Sequence, residues 1–261
     1  VEGNRIFSSG SRACSGGISI LRGNAGTVVA NNLIYANGRQ GIYVADQTGG
    51  PHFIVSNTVV ANGWDGVYIA RAQTVHLLNN LIAGNGQDRQ RRGARFGVRR
   101  RGRSAPPESV RLEGNLICGH PQGEVHGRLL DQGDAGNRTP TGSEGPGVSA
   151  SPGCDALASL FANRAGADGL AGTIDDDFRL APRSPALDAG VPLVERLPEV
   201  APEILRADHF RAGVRPQDGD GDGRAEADVG AVEEGDPTEP TPAPSPTPSP
   251  PSTATPSRPC A

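Results

Sequence analysis

Along residues 1–125, short apolar segments recur behind asparagine: Asn4-Arg5-Ile6-Phe7, Asn32-Leu33-Ile34-Tyr35-Ala36-Asn37-Gly38, Asn57-Thr58-Val59-Val60-Ala61-Asn62-Gly63, Asn80-Leu81-Ile82-Ala83-Gly84-Asn85-Gly86 and Asn115-Leu116-Ile117-Cys118-Gly119-His120. The leading asparagines are separated by 28, 25, 23 and 35 residues. A second line interleaves with the first: Gly17-Ile18-Ser19-Ile20, Gly41-Ile42-Tyr43-Val44, Gly66-Val67-Tyr68-Ile69 and Gly97-Val98-Arg99. From Asn32 to Gly41 and from Asn57 to Gly66 the offset is nine residues. Strands this short cannot each bury a two-sided sheet. Stacked turn upon turn they can, so each unit of roughly 25 residues predicts one rung of a solenoid, with rungs about 4.8 Å apart.

Alternation with period two assigns the faces. Ile34, Val59, Ile82 and Ile117 are expected inside, with Ile42, Val44, Val67 and Ile69; Tyr43 and Tyr68 are expected outside. Ala36, Ala61, Gly84 and Gly119 are small enough for a tight corner. Asn32, Asn57, Asn80 and Asn115, stacked, can pass amide hydrogen bonds from rung to rung. Asn37, Asn62 and Asn85, which precede Gly in each case, are expected to supply turns with positive φ.

These motifs resemble the right-handed parallel β-helix repeat proteins, the superfamily that includes pectate lyases. The resemblance covers residues 1–125 and implies an all-β, right-handed parallel β-helix. The same scaffold serves enzymes, adhesins and passive surface proteins, so it implies no chemistry by itself.

After Asn115 the period fades. Residues 126–236 carry Asp177-Phe178-Arg179-Leu180-Ala181-Pro182-Arg183-Ser184-Pro185-Ala186-Leu187-Asp188-Ala189-Gly190, then Gly213-Val214-Arg215-Pro216, then Asp228-Val229-Gly230-Ala231-Val232-Glu233. That order resembles the C-terminal cap of secreted bacterial β-helix proteins, and an irregular cap over the open terminal rung is the physical expectation. No matching cap is visible at residue 1, which implies further rungs ahead of it. Residues 237–261 hold 10 of the 23 prolines, alternating with Ser and Thr. This composition predicts a disordered, extended linker or stalk.

Composition fits this division. The 37 glycines and 23 prolines, and a hydrophobic share of 35%, exclude one thick helical core. No run approaches the roughly 18 apolar residues of a membrane span, and the N-terminus has neither a basic start nor an apolar signal region. Cys14, Cys118, Cys154 and Cys260 lie too far apart for a zinc or redox motif, and suit one or two disulfides in an oxidising compartment, or none. The net charge of −4 hides an asymmetry: residues 1–130 carry 15 Arg against 7 acidic residues, and residues 131–261 carry 10 against 22.

Three clusters carry candidate chemistry. In the run Asp218-Gly219-Asp220-Gly221-Asp222-Gly223-Arg224, alternate carboxylates can converge on one hard cation. Asp218, Asp220, Asp222, the carbonyl near Arg224 and a closing Asp228, with Glu226 as second choice, are the expected ligands of a structural Ca²⁺. Residues 88–103 contain eight arginines, among them Arg99, Arg100 and Arg101, suited to a uronate or sulfated polysaccharide through bidentate contacts. Such a cluster also suits nucleic acid in principle, but none is expected here. Tyr43 and Tyr68 on adjacent rungs, with Arg99 next, suggest a platform for sugar rings. Trp64, Asp65, Asp46, Arg71, His52 and His76 lie near the same rungs.

The superfamily resemblance implies that a lyase would need a calcium-binding carboxylate cluster and a base, often Arg or Lys, and that a hydrolase would need two or three carboxylates. These rungs offer only Asp46 and Asp65, and the paired-Asp and Gly-His-Gly motifs of polygalacturonases are absent. The sequence therefore predicts a secreted or cell-surface monomer that binds polysaccharide or adheres without catalysis. The alternative is a polysaccharide lyase or glycoside hydrolase.

Overall fold

The computed structural model describes residues 1–8, 16–21, 26–45, 50–70, 74–87, 94–101, 110–126, 137–139, 148–150, 157–210 and 214–235. In chain order the first strands are β1 (Arg5–Phe7), β2 (Ile18–Ile20), β3 (Val28–Ala30), β4 (Leu33–Tyr35), β5 (Ile42–Val44), β6 (His52–Val55), β7 (Thr58–Val60) and β8 (Val67–Ile69). They continue with β9 (Val75–Leu78), β10 (Leu81–Ala83), β11 (Val98–Arg100), β12 (Val110–Glu113), β13 (Leu116–Cys118), β14 (Val125–His126), β15 (Asn137–Thr139) and β16 (Val148–Ala150). They form three parallel sheets, ordered β1-β4-β7-β10-β13-β15-β16, β2-β5-β8-β11-β14 and β3-β6-β9-β12. The first sheet thus continues for two strands past the point where the asparagine period fades.

The lumen is an apolar stack. Ile34, Val59, Ile82 and Ile117 lie in register on the first sheet, Ile42, Val67 and Val98 on the second, and Val29, Ile54, Leu77 and Leu112 on the third. All belong to one buried cluster. Burying each such aliphatic side chain stabilises by about 1.5–3 kcal/mol. The second strand line begins with Gly because the corner has no room for more: a Cβ on Gly41 would sit 2.3 Å from Val59 Cγ1.

Two ladders of side chains hold the corners. Asn4, Asn32, Asn57, Asn80 and Asn115 form the first, each Nδ2 donating to the next Oδ1 at 2.9–3.1 Å. Asn37, Asn62 and Asn85 form the second, at 2.9 Å per step. The positive φ expected at these last three residues falls one position earlier instead, on Ala36, Ala61 and Gly84. The left-handed residue turns the chain so that the following asparagine points inward, where its amide satisfies buried backbone groups: Asn62 Nδ2 also donates to Ile34 O, and Asn85 Nδ2 to Val59 O. At the rung of β13 His120 replaces asparagine. Its Nε2 meets Asn85 Nδ2 at 3.1 Å and its Nδ1 pairs with Glu124, so this run of donors ends on a carboxylate.

The described residues of 157–235 are seated along the side of the solenoid, where a cap over its end was expected. A hairpin of β17 (Phe161–Asn163) and β18 (Asp177–Leu180) and the segments around Ala186 and Ala231 pack on the outer face of the first sheet, over Leu33, Tyr35, Val60, Leu81 and Leu116. The short helices α1 (Leu193–Arg196) and α2 (Pro202–Arg206) bring Leu193, Leu197, Val200 and Leu205 onto Phe53, Val55 and Leu78 of the third sheet. The reason lies in the strands. Leu-Ile-Tyr, Thr-Val-Val, Leu-Ile-Ala and Leu-Ile-Cys are buried on both faces and, Thr58 apart, apolar on both, as in parallel sheets covered on both sides. Gly230 N donates to Asn79 O and Ala231 N to Thr58 Oγ1, both at 2.9 Å. The buried Arg215 guanidinium ties this segment together through Ala207 O, Asp228 O, Gly230 O and Glu233 Oε2.

Candidate functional site

The second sheet keeps its alternation, and its outward positions form one register line: Ser19, Tyr43, Tyr68, Arg99 and His126. Tyr43 and Tyr68 stand 5.5 Å apart between ring centroids, tilted by 33°. The Arg99 guanidinium lies over the Tyr68 ring at 3.6 Å. The side chains are therefore stacked like cards along the solenoid axis. Tyr68 is only 9% exposed, so the stripe turns ring edges and polar tips to solvent, and the flat platform expected for sugar rings is not available at Tyr68.

A second pair flanks the stripe. Arg39 and Trp64 occupy equivalent places in adjacent rungs, seven residues after Asn32 and Asn57, and Arg39 stacks on the indole at 4.3 Å. The next residue, Asp65, is fully buried. Its Oδ1 accepts Phe96 N–H at 3.0 Å, and its Oδ2 accepts Arg99 Nε at 2.9 Å and Nη2 at 2.7 Å. Together these groups surround a cleft of about 430 Å³, which Tyr43, Tyr68, Trp64, Arg39, Arg99 and Arg101 line. Among the described residues, none of the C-terminal region lines it.

Of the residues singled out by sequence, Tyr43, Tyr68, Arg99 and Arg101 thus meet in one place. Arg100 does not: it is in register with Ile69 and is 7% exposed, because alternation turns it from the stripe. His52 is buried in line with the lumen residues, and His76 stacks on Phe53 at 5.3 Å on the third sheet. Burial and the nearby Arg111 charge push the His76 pKa below its ordinary value. Asp46, Arg71 and the arginines at 89, 91, 92 and 103 lie outside the described residues. Sequence reasoning missed Arg39 and the pairing role of Asp65; their equivalent offsets from the repeat asparagines were the available signal.

The acidic loop is assembled differently from the expectation. Asp218 and Asp220 converge with Asp188, the three offering carboxylate oxygens within 4.8 Å of one another. Asp188 comes from the Asp-Ala-Gly segment about thirty residues earlier, and its side chain accepts Gly219 and Asp220 N–H. Burial, together with the Asp220 and Asp218 charges, raises its pKa. Asp222, whose Oδ1 accepts Arg224 N–H, is not in this group, and neither are Arg224 or the exposed Glu226. Asp228 is buried elsewhere, accepting Asp188 and Glu234 N–H. Burial and the neighbouring Glu233 carboxylate push its pKa up to about 8. Three converging carboxylates suit a hard cation, which would relieve their mutual repulsion. Cys118 is disulfide-bonded, and its partner lies outside the described residues.

Residues 1–101 match the family model described as a right-handed beta helix region, and the rungs of this chain are a right-handed parallel β-helix. The crystal structure of pectate lyase Pel9A is similar at 19% sequence identity and a TM-score of 0.40, over 84% of this chain and 62% of that one. The chain thus spans less than two thirds of that protein. No curated protein matches the chain. No helix among the described residues is long and apolar enough to cross a membrane.

Proposed function

We propose that this chain is a secreted or cell-surface polysaccharide-binding β-helix, monomeric and without catalysis of its own, whose ligand lies in the cleft along the second sheet. The observation that carries this reading is the alignment of Tyr43, Tyr68 and Arg99 beside Arg39 and Trp64 around an open cleft, which none of the described C-terminal residues lines. Phenol hydroxyls and guanidinium N–H groups are hydrogen-bonding partners for sugar hydroxyls and for carboxylate or sulfate groups. Arginine predominates among the described residues that line the cleft, and the buried Asp65 carboxylate behind them is occupied by Arg99 and Phe96; this favours an acidic glycan and binding over general acid–base chemistry. The Cys118 disulfide supports an oxidising, extracellular setting.

Calorimetry against neutral and acidic polysaccharides at low and high salt, with product analysis on each, tests the reading. Binding of acidic glycans that weakens with salt, with the glycan recovered intact, is the expected result. No binding at low salt overturns it, and unsaturated or shortened products would reassign the chain as a lyase or hydrolase. In the same proposal Asp188, Asp218 and Asp220 hold a structural Ca²⁺. Chelation should then lower the melting temperature, and Asp220→Ala should remove that dependence. An unchanged melting curve with and without chelator would remove calcium from the proposal.

A further inference from the structure

Four arginines stand at or near the cleft in the second sheet, and they are not equivalent. Arg99 has a full partner: Nε and Nη2 both reach one buried carboxylate oxygen of Asp65, and the guanidinium plane is laid on Tyr68. The pair is electrically neutral, and its side chains are 15% and 0% exposed. Arg100 is turned away. Arg39 and Arg101 line the cleft and pair with no carboxylate among the described residues; Arg39 rests only on the Trp64 ring, and Arg101 is exposed. A neutralised guanidinium offers its remaining N–H edge as a hydrogen-bond donor, whereas an unpaired one offers net charge.

We infer that Asp65 is a positioning residue that divides the labour of the cleft: it silences the charge of Arg99 and pins it on Tyr68 as a donor, leaving Arg39 and Arg101 to discriminate acidic from neutral ligands. Asp65 can do this because the turn after β7 buries it and the Phe96 N–H holds its other oxygen. Its carboxylate is thereby fixed before any ligand arrives. The ligand half of this inference rests on the polysaccharide-binding reading, while the positioning half does not.

Two measurements test it. The first needs no ligand: arginine modification by a dicarbonyl reagent, followed by mass spectrometry. Arg101 should react readily and Arg99 at least about tenfold more slowly in the native protein, with Arg99 approaching Arg101 in Asp65→Asn, since a charge-assisted pair of this kind corresponds to roughly a factor of ten. Equal rates for Arg99 and Arg101 in the unsubstituted protein would overturn the positioning role, even if Asp65→Asn fails to fold.

The second uses cellohexaose and a heparin-derived hexasaccharide as neutral and anionic probes at two salt concentrations. Arg99→Gln should weaken both probes alike. Arg39→Gln and Arg101→Gln should each weaken only the anionic probe, by about tenfold at low salt, and flatten its salt dependence. Asp65→Asn should steepen that dependence by freeing a charge, which a merely structural role would not do. Loss of salt dependence on Arg99→Gln alone would overturn the division of labour. Failure of both probes to bind the unsubstituted protein would overturn that division together with the polysaccharide reading, and the modification rates would still decide the role of Asp65.

Discussion

The first and second sheets of the solenoid are built from strands of nearly the same length, in the same rungs, over the same lumen, yet their outer faces have opposite fates. On the first, Leu33, Tyr35, Val60, Leu81 and Leu116 point outward and are covered by the C-terminal region. On the second, Ser19, Tyr43, Arg99 and His126 point outward and keep partial or full exposure. The lesson is that in a parallel solenoid the inward residues carry no distinguishing information, since every sheet needs them apolar. The outward residue of each rung decides whether a face is a docking surface for the chain's own C-terminus or a surface for something else.

The largest effect should come from making the two faces alike. Leu81→Arg places a charge in a site closed by Gly230, whose Cβ position is 3.2 Å from Leu81 Cβ, and should cost about 4–5 kcal/mol or prevent folding. Tyr43→Arg on the second sheet loses one aromatic contact with Tyr68 and should cost about 0.5–1.5 kcal/mol. Equal losses by chemical denaturation would dissolve the contrast between the faces.

The Asn57 ladder lies at the corner that joins the third sheet to the first, behind the covered face, so its disruption should loosen those two sheets together. Asn57→Ala removes the acceptor of Asn32 N–H and Nδ2–H and the donor to Val29 and Val55 carbonyls, and should cost about 2–4 kcal/mol. Hydrogen exchange should report loosening in rungs on both sides of residue 57. Protection lost on one sheet only would show that the ladder does not couple them.

A smaller effect belongs to the covered face alone. The Asp228 pKa is raised from 3.8 to about 8, first by burial and then by Glu233. A carboxyl raised in the folded state contributes stability that is fully present below its unfolded value and lost as pH rises through the folded one. Contacts of the C-terminal region should therefore weaken between about pH 4 and about pH 8, read as increasing proteolysis after β18, while the lumen keeps its protection. Asp175, held down to about 2 by Thr173 and the Asp168 N–H, works in the opposite sense below its ordinary value. A pH-independent cleavage rate, or one that falls toward pH 8, would refute the assignment to Asp228.

The repeat was legible because a solenoid writes its geometry into the sequence as a period: asparagine, apolar pair, small corner, glycine, apolar pair. From this alone follow the rungs, the inward Ile34, Val59 and Ile82, the outward Tyr43 and Tyr68, and the first asparagine ladder, since each depends on neighbours at a fixed offset. The tertiary structure decided what has no fixed offset. The Asp188 contact with Asp218 and Asp220 spans about thirty residues, and the cover over Leu81 comes from the chain near Gly230. Period-two alternation should have excluded Arg100 from the stripe, but a cluster of three adjacent arginines reads as one basic patch until the register of β11 separates them. The neutralisation of Arg99 by Asp65 needs two rungs placed side by side. Local periodicity specifies which way a side chain points; the identity of the group it meets there depends on how distant segments are brought together, which is a property of packing and not of the repeat.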